Sequence, residues 1–150
     1  MTVESNMEFN MPMDVVAIQR AIPHRYPFLF IDRVLDAKAF GYIVALRNIT
    51  ISDPALQGHF PSNPIVPGVV IVEGAAQAAA VLGRISKGTL NECLFTEISE
   101  ARFRKPVVPG DVLKYDIKLI KHRGPFVWFE AIMSVDGAEV AMVKFSALMK

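Results

Sequence analysis

The sequence has a single cysteine, Cys93, in 150 residues. An intrachain disulfide and a cysteine-based zinc site are therefore excluded, and a reducing, cytoplasmic setting is expected. Charge of one sign is also missing. Sixteen Lys and Arg stand against fifteen Asp and Glu, a net charge of +1, so no global field points to nucleic acid. The longest apolar runs, Ile65 to Val72 and Ala75 to Leu82 around Gln77, are cut by Pro67 and Glu73, short of the roughly 18 to 20 residues that span a bilayer. The N-terminus carries Glu4 and Glu8 rather than the basic and then apolar layout of a signal peptide. There is no internal repeat, low-complexity segment or glycine-rich phosphate loop. These absences predict a soluble enzyme or binding module that uses neither a nucleotide fold nor membrane insertion.

What is present is apolar. Hydrophobic residues make up 52% of the chain, more than a small monomer needs for its core, so part of that material is expected to face a second copy. The length suits one domain, residues 1–150, with 1–11 polar, weakly periodic and expected to be flexible. Asp14 is placed to cap a short helix ending near Ala21, with Val15, Ile18 and Ile22 on one face and Pro23 as its stop. Pro23-His24-Arg25-Tyr26-Pro27 reads as an extended loop. Phe28 to Val34 and Gly41 to Ile51 read as strands.

The central stretch runs from Gly58 to Gln77. Val69 to Val72 alone could be a buried strand, but Glu73-Gly74-Ala75-Ala76-Gln77-Ala78-Ala79-Ala80 favours helix, and Pro67 suits its start, so a helix is expected over Pro67 to Arg84. It is apolar nearly all round, so other elements must wrap it. After a turn at Lys87 to Asn91, strands are expected over Leu94 to Val107 and Asp111 to Lys121. In the second, Leu113, Tyr115, Ile117 and Leu119 alternate with Lys114, Asp116 and Lys118. Phe126 to Val135 and Val140 to Met149 follow, joined at Asp136-Gly137 by a type I′ hairpin signal. The pattern predicts an α+β chain with an antiparallel sheet curled around one long helix.

Two ionisable side chains mark the central stretch. His59 stands on a proline-rich loop, and imidazole is the side chain type suited to act as a base near neutral pH. Glu73 is isolated on the apolar helix, where a carboxylate must be protonated, paired or used. It could instead reach solvent or Arg84. Gln77, one turn on, shares its face and can orient the carboxyl group. Gly68 offers an early helix amide with no intrahelical partner, suited to polarising a carbonyl oxygen. A base, an acid and a carbonyl donor together suit removal of a proton alpha to a carbonyl with loss of a beta-hydroxyl, or the reverse addition of water.

Gly58-His59-Phe60-Pro61, Pro64-Ile65-Val66-Pro67-Gly68-Val69, and then Glu73 and Gln77 closely resemble the active-site segment of FabZ-type 3-hydroxyacyl-[acyl-carrier-protein] dehydratases. Ile22 to Leu29 with Asp32-Arg33-Val34, and Arg102 to Asp111, resemble the family's flanking segments. The resemblance covers roughly Ile22 to Asp111. It implies the hotdog fold, His59 as the base at C2, Glu73 as the proton donor to the C3 hydroxyl, and the Gly68 amide on the thioester carbonyl. Gln77, Phe60 and Val69 are then substrate-side residues. No metal or redox cofactor is implied. The partner is an acyl-carrier protein bearing a 3-hydroxyacyl thioester, with Arg102, Arg104 and Lys105 as candidate contacts. A homodimer that shares its sites between subunits, assembled as a trimer of dimers, is also implied.

Gly74, where the family typically has alanine, and Ser62-Asn63, where it often has Gly-His, depart from the pattern. The related FabA type carries aspartate where this chain has Glu73. An (R)-specific enoyl-CoA hydratase of the same fold would need an aspartate shortly before the histidine, and Asp53 lies six residues before His59. A non-catalytic acyl-binding module is the third reading. Met133, Met142, Phe126, Trp128 and Phe129 are expected in the sheet core, His24 in a structural role, and His122 in none.

Overall fold

The computed structural model describes residues 9–150. Of the segment expected to be flexible, residues 1–8 lie outside the described ones. Phe9 and Met11 pack against the core, and Met13 pairs with Val34 as an isolated bridge. Apolar side chains at 9, 11 and 13 give this polar stretch an anchor that its overall composition conceals.

Helix α1, Val15–Ala21, is capped by the Asp14 carboxylate, which accepts from the Ala17 amide at 2.9 Å. Ile18 and Ile22 are buried, whereas Val15, in the first turn, is 40% exposed. The strand expected over Phe28 to Val34 begins only at Arg33. Strand β1 is Arg33–Lys38 and β2 is Tyr42–Asn48. The backbone of Phe28 and Phe30 bonds to a side chain on the central helix rather than to a neighbouring strand, so no ladder forms there.

Helix α2, Gly68–Lys87, is the centre of the fold, with Pro67 as its N-cap residue and Gly88 as its C-cap. Its buried residues run without interruption from Gly74 to Arg84, which explains its lack of a polar face. Taken as a whole it is long and apolar enough to cross a membrane by length and composition, contrary to the expectation drawn from its shorter runs. The window is 72% buried inside the fold, so the sheet supplies the apolar surroundings.

Four longer strands follow: β3 Cys93–Phe103, β4 Val112–Arg123, β5 Phe126–Val135 and β6 Ala138–Met149. With β1 and β2 they form one antiparallel sheet in the order β1-β2-β4-β5-β6-β3. Asp136 and Gly137 both take positive φ, 50° and 80°, which is the type I′ turn expected between β5 and β6. Leu113, Tyr115 and Ile117 point inward onto α2 and are at most 1% exposed. Phe129 and Met133 are core residues as expected, but Phe126 is 42% exposed. Trp128 lies on the outer face beneath the Lys121 ammonium, 4.5 Å from the ring centroid.

Strand β3 differs from the others. It is an edge strand with neither face well covered, and Leu94, Phe95, Ile98 and Phe103 are exposed along it. A sheet wrapped around one helix with this topology is the hotdog arrangement. It leaves one long apolar edge open.

Candidate active site

His59 sits in the loop that leads into α2. Its amide donates to the Leu56 carbonyl at 3.2 Å, and its carbonyl accepts from the Ile65 amide at 2.9 Å. The Nδ1 atom lies 3.1 Å from the Ile65 carbonyl oxygen. A carbonyl can only accept, so this contact assigns the proton to Nδ1 and leaves the Nε2 lone pair available as a base. Phe60 stacks on the ring at 4.3 Å between centroids.

His59 and Gly68 line one cavity of about 320 Å³, with Phe103 from the end of β3 and Val107 on its walls and Arg104 and Lys105 at its lip. A Cβ on Gly68 would lie 2.9 Å from the Phe103 ring. Glycine therefore lets that ring close on the first turn of α2, where helix amides carry partial positive charge. Val69 is not among the residues that line this cavity and is 78% exposed. Arg102 lies back on β3, where it donates to Glu100 at 3.0 Å. Arg104 pairs with Glu139.

Glu73 lies elsewhere. It lines a small cavity of about 30 Å³ with His24, Ala76, Gln77, Cys93, Phe95 and Ala147, which shares no residue with the His59 cavity. Its side chain is 21% exposed; the Arg84 guanidinium donates to the Gly88 carbonyl. Glu73 Oε1 accepts from Gln77 Nε2 at 3.1 Å and lies 3.7 Å from His24 Nε2.

Gln77 is 1% exposed. Beyond Glu73, its Nε2 donates to the Phe28 carbonyl at 2.9 Å, and its Oε1 accepts from the Phe30 amide at 2.8 Å. The amide is thus consumed by the protein. It ties the acid to the loop at 28–30 and has little left to offer a bound acyl chain.

Sequence reasoning gave His24 only a structural role, yet the structure sets it against Glu73. Arg25, at its side, donates to the backbone carbonyls of Ile22, His24 and Gln19 and so fixes the loop. Burial pushes the His24 imidazole below its ordinary value of 6.5; Glu73 opposes that shift and Arg25 adds to it. Its position between Pro23 and Pro27, on a loop with a restricted backbone, was the available signal. Cys93 shares the cavity, but burial, aided by Glu73, pushes its thiol up to about 12. It is therefore no nucleophile near neutral pH.

Asp53 is committed to structure. It accepts from the Ala55 amide at 2.9 Å at the start of a short 3-10 turn, Pro54–Leu56, and pairs with the buried guanidinium of Arg47. His122 is exposed on β4, its ring 4.9 Å from that of Phe40.

Comparison with known proteins agrees with this architecture. A family model described as a FabA-like domain matches residues 22–144. The 3-hydroxyacyl-[acyl-carrier-protein] dehydratase FabZ of Nitrobacter hamburgensis is 41% identical over 150 residues, covering 98% of this chain and 99% of its own. That of Nitratiruptor sp. is 43% identical over 143 residues, covering 91% and 97%. Among solved structures, a chain of the dehydratase heterocomplex ApeI:P from Xenorhabdus doucetiae matches with a TM-score of 0.77 at 18% identity, covering 89% of this chain and 90% of that one. The uncharacterized protein PH1136 from Pyrococcus horikoshii matches with a TM-score of 0.61 at 20% identity, covering 81% and 85%. These two structural likenesses show the fold alone. The identity held along nearly the whole chain shows more: this protein belongs to the FabA-like family and, within it, to the FabZ-type 3-hydroxyacyl-[acyl-carrier-protein] dehydratases.

Proposed function

We propose that the chain converts (3R)-3-hydroxyacyl-[acyl-carrier-protein] to the trans-2-enoyl thioester in fatty acid biosynthesis, at a site made by two copies of itself. One observation carries the shared site. The His59 cavity ends at Phe103 and the Glu73 cavity at Cys93 and Phe95, the opposite ends of the same open edge strand. Pairing β3 antiparallel with β3 of a second copy about a two-fold axis sets the Phe103 end of each beside the Cys93 end of the other. The His59 cavity of one chain then faces Glu73 of its partner, and the exposed Leu94, Phe95 and Ile98 are covered. Three such dimers form the trimer of dimers that the family resemblance implies.

In this site Nε2 of His59 removes the C2 proton while the thioester carbonyl accepts from the Gly68 amide, where the positive end of α2 favours developing negative charge. The C2 electron pair forms the double bond, the C3–oxygen bond breaks, and Glu73 gives its proton to the departing hydroxyl. Gln77 holds Glu73 in position. Phe60 supports the His59 ring. Arg104 and Lys105, at the cavity lip, suit an acidic carrier protein, and the lone thiol fits a reducing cytoplasm.

The hydratase reading is disfavoured by Asp53, whose carboxylate is taken up by Arg47 and a helix-start amide. The test is hydration of crotonyl thioester on acyl-carrier protein, followed at the enoyl absorbance, with the coenzyme A thioester alongside. Preference for the carrier-protein substrate, lost in His59→Ala, is expected. Equal use of the coenzyme A thioester would favour the hydratase, and no turnover of either would leave an acyl-binding module. Mixing His59→Ala with Glu73→Gln chains is expected to restore part of the activity by pairing one intact half from each.

A further inference from the structure

Arg47 occupies a position where the sheet otherwise buries hydrocarbon. Ile43 and Ala45 precede it on the inward face of β2, Leu113 stands opposite it on β4, and all three are fully buried. Arg47 is itself only 3% exposed. A guanidinium is costly to bury, and an apolar side chain of similar volume usually holds a core as well or better. The charge is therefore explained by what it touches. Its Nη2 pairs with Asp53, and its guanidinium carbon lies 4.7 Å from the centroid of the Phe30 ring.

Asp53 lies within residues 49–67, the loop that joins β2 to α2 and carries His59. The two ends of this loop are tied to the segment before β4: the Ile49 amide donates to the Asp111 carbonyl at 3.0 Å, and the Val66 amide to the Val107 carbonyl at 2.8 Å. Between those ends the loop runs over the surface, with Ile51 61% and Phe60 51% exposed. Asp53 pins its middle. One carboxylate oxygen pairs with Arg47, while the other accepts from the Ala55 amide and starts the turn Pro54–Leu56. The Leu56 side chain is buried, and its carbonyl accepts from the His59 amide. A single carboxylate thus joins an inner strand to the turn from which the base hangs. We infer that Arg47 and Asp53 are positioning residues for His59: the pair fixes the Pro54–Leu56 turn and, through Leu56, the direction of Nε2. A reacting group displaced by about 1 Å can lose about 10²-fold in rate. An apolar residue at position 47 would fill the core but leave the turn unaimed.

This inference rests on His59 being the base and on its sharing a site with Glu73 of a second copy. Arg47 also lies against Phe30, whose amide donates to Gln77, so the test begins with Asp53. Asp53→Asn is expected to lower kcat on 3-hydroxybutyryl-[acyl-carrier-protein] about tenfold to 10²-fold, with KM within about twofold of the parent. It also leaves Arg47 buried without its counter-charge, so a lower Tm is expected. The double variant Arg47→Met/Asp53→Asn removes that charge. It is expected to regain most of the Tm and none of the kcat. Recovery of both together, or no loss of kcat in either variant, would overturn the inference.

Mixed dimers, purified through two different tags, show which half of the site is affected. Asp53→Asn paired with Glu73→Gln contains one site with an undisturbed His59 and an intact Glu73, and about half of the parent activity is expected. Asp53→Asn paired with His59→Ala has only the misaimed base and is expected to stay about tenfold or more below that. Equal activity in the two mixtures would overturn the inference, because the damage would not be confined to the base. His59→Ala paired with Glu73→Gln is the control. If that pair stays inactive, the shared site itself fails, and the double variant alone decides whether Arg47 and Asp53 position His59.

Discussion

A Cβ on Gly74 would lie 2.2 Å from the Tyr115 hydroxyl oxygen and 2.7 Å from the ring carbon that bears it. The two residues are therefore one fitted pair, with the glycine of α2 accommodating the tyrosine of β4 beside Glu73. Tyr115 is fully buried and its hydroxyl has no hydrogen-bond partner among the described residues. Neither side can give way cheaply.

Gly74→Ala is expected to destabilise the protein by ~1–3 kcal/mol through overpacking, in spite of alanine's better helix propensity. In a Tyr115→Leu background the same change is expected to be neutral or favourable, because the added methyl enters space the ring has left. Thermal unfolding of the four proteins in this cycle measures the coupling, and additive shifts would show that the contact is relieved elsewhere.

Glu73→Gln keeps the volume and the neighbourhood of Gln77 and His24 but removes the proton. Turnover is expected to fall about 10²–10⁴-fold with circular dichroism and molar mass by light scattering unchanged. Activity close to the parent's would remove Glu73 from the mechanism.

Gln77→Leu leaves the Phe30 amide buried without an acceptor, at a cost of about 1–3 kcal/mol, and frees Glu73 from its donor. Both a lower Tm and a lower kcat are expected, with hydrogen exchange rising first at residues 28–30. Loss of stability with kcat retained would mean that Gln77 holds the loop but does not position the acid.

His24 makes stability depend on pH. Its folded-state value lies below the ordinary 6.5, chiefly through burial, so in the window below 6.5 the unfolded chain binds a proton that the folded chain refuses. Stability therefore rises with pH through that window; the contribution is complete above 6.5 and is lost as pH falls through the folded value. The denaturant midpoint of the parent is expected to fall relative to that of His24→Gln between pH 8 and acid pH, and parallel profiles would contradict this.

Lys105→Glu, at the lip of the His59 cavity, is expected to raise KM for the carrier-protein substrate about tenfold while sparing a pantetheine thioester that lacks the protein. Arg102→Glu, on β3 and already paired with Glu100, should do less. Equal effects of Lys105→Glu on both substrates would point to the cavity itself rather than to carrier docking.

Local chemistry made much of the fold legible. The Asp14 cap, the alanine run of α2, the alternation in β4 and the Asp136-Gly137 turn each act over a few residues, so their outcome is written where they stand. Phe28 to Asp32 misled because aromatic and β-branched residues favour a strand only if a strand lies beside them; here the partner is Gln77, 47 residues beyond Phe30. Val15 was placed inward by spacing alone, although the first turn of a short helix extends past the surface that would cover it.

The same division holds at the site. By itself the sequence determined which groups are available: a base on a constrained loop, an acid on an apolar helix, a glutamine one turn further on, and the family they resemble. Only the tertiary structure decided their neighbours. It turned His24 onto Glu73, engaged both ends of the Gln77 amide, tied Asp53 to Arg47, and put the His59 and Glu73 cavities at opposite ends of an open strand. Residue type and spacing specify what a side chain can do within a turn or two, whereas contacts between distant segments depend on how the sheet closes over its helix.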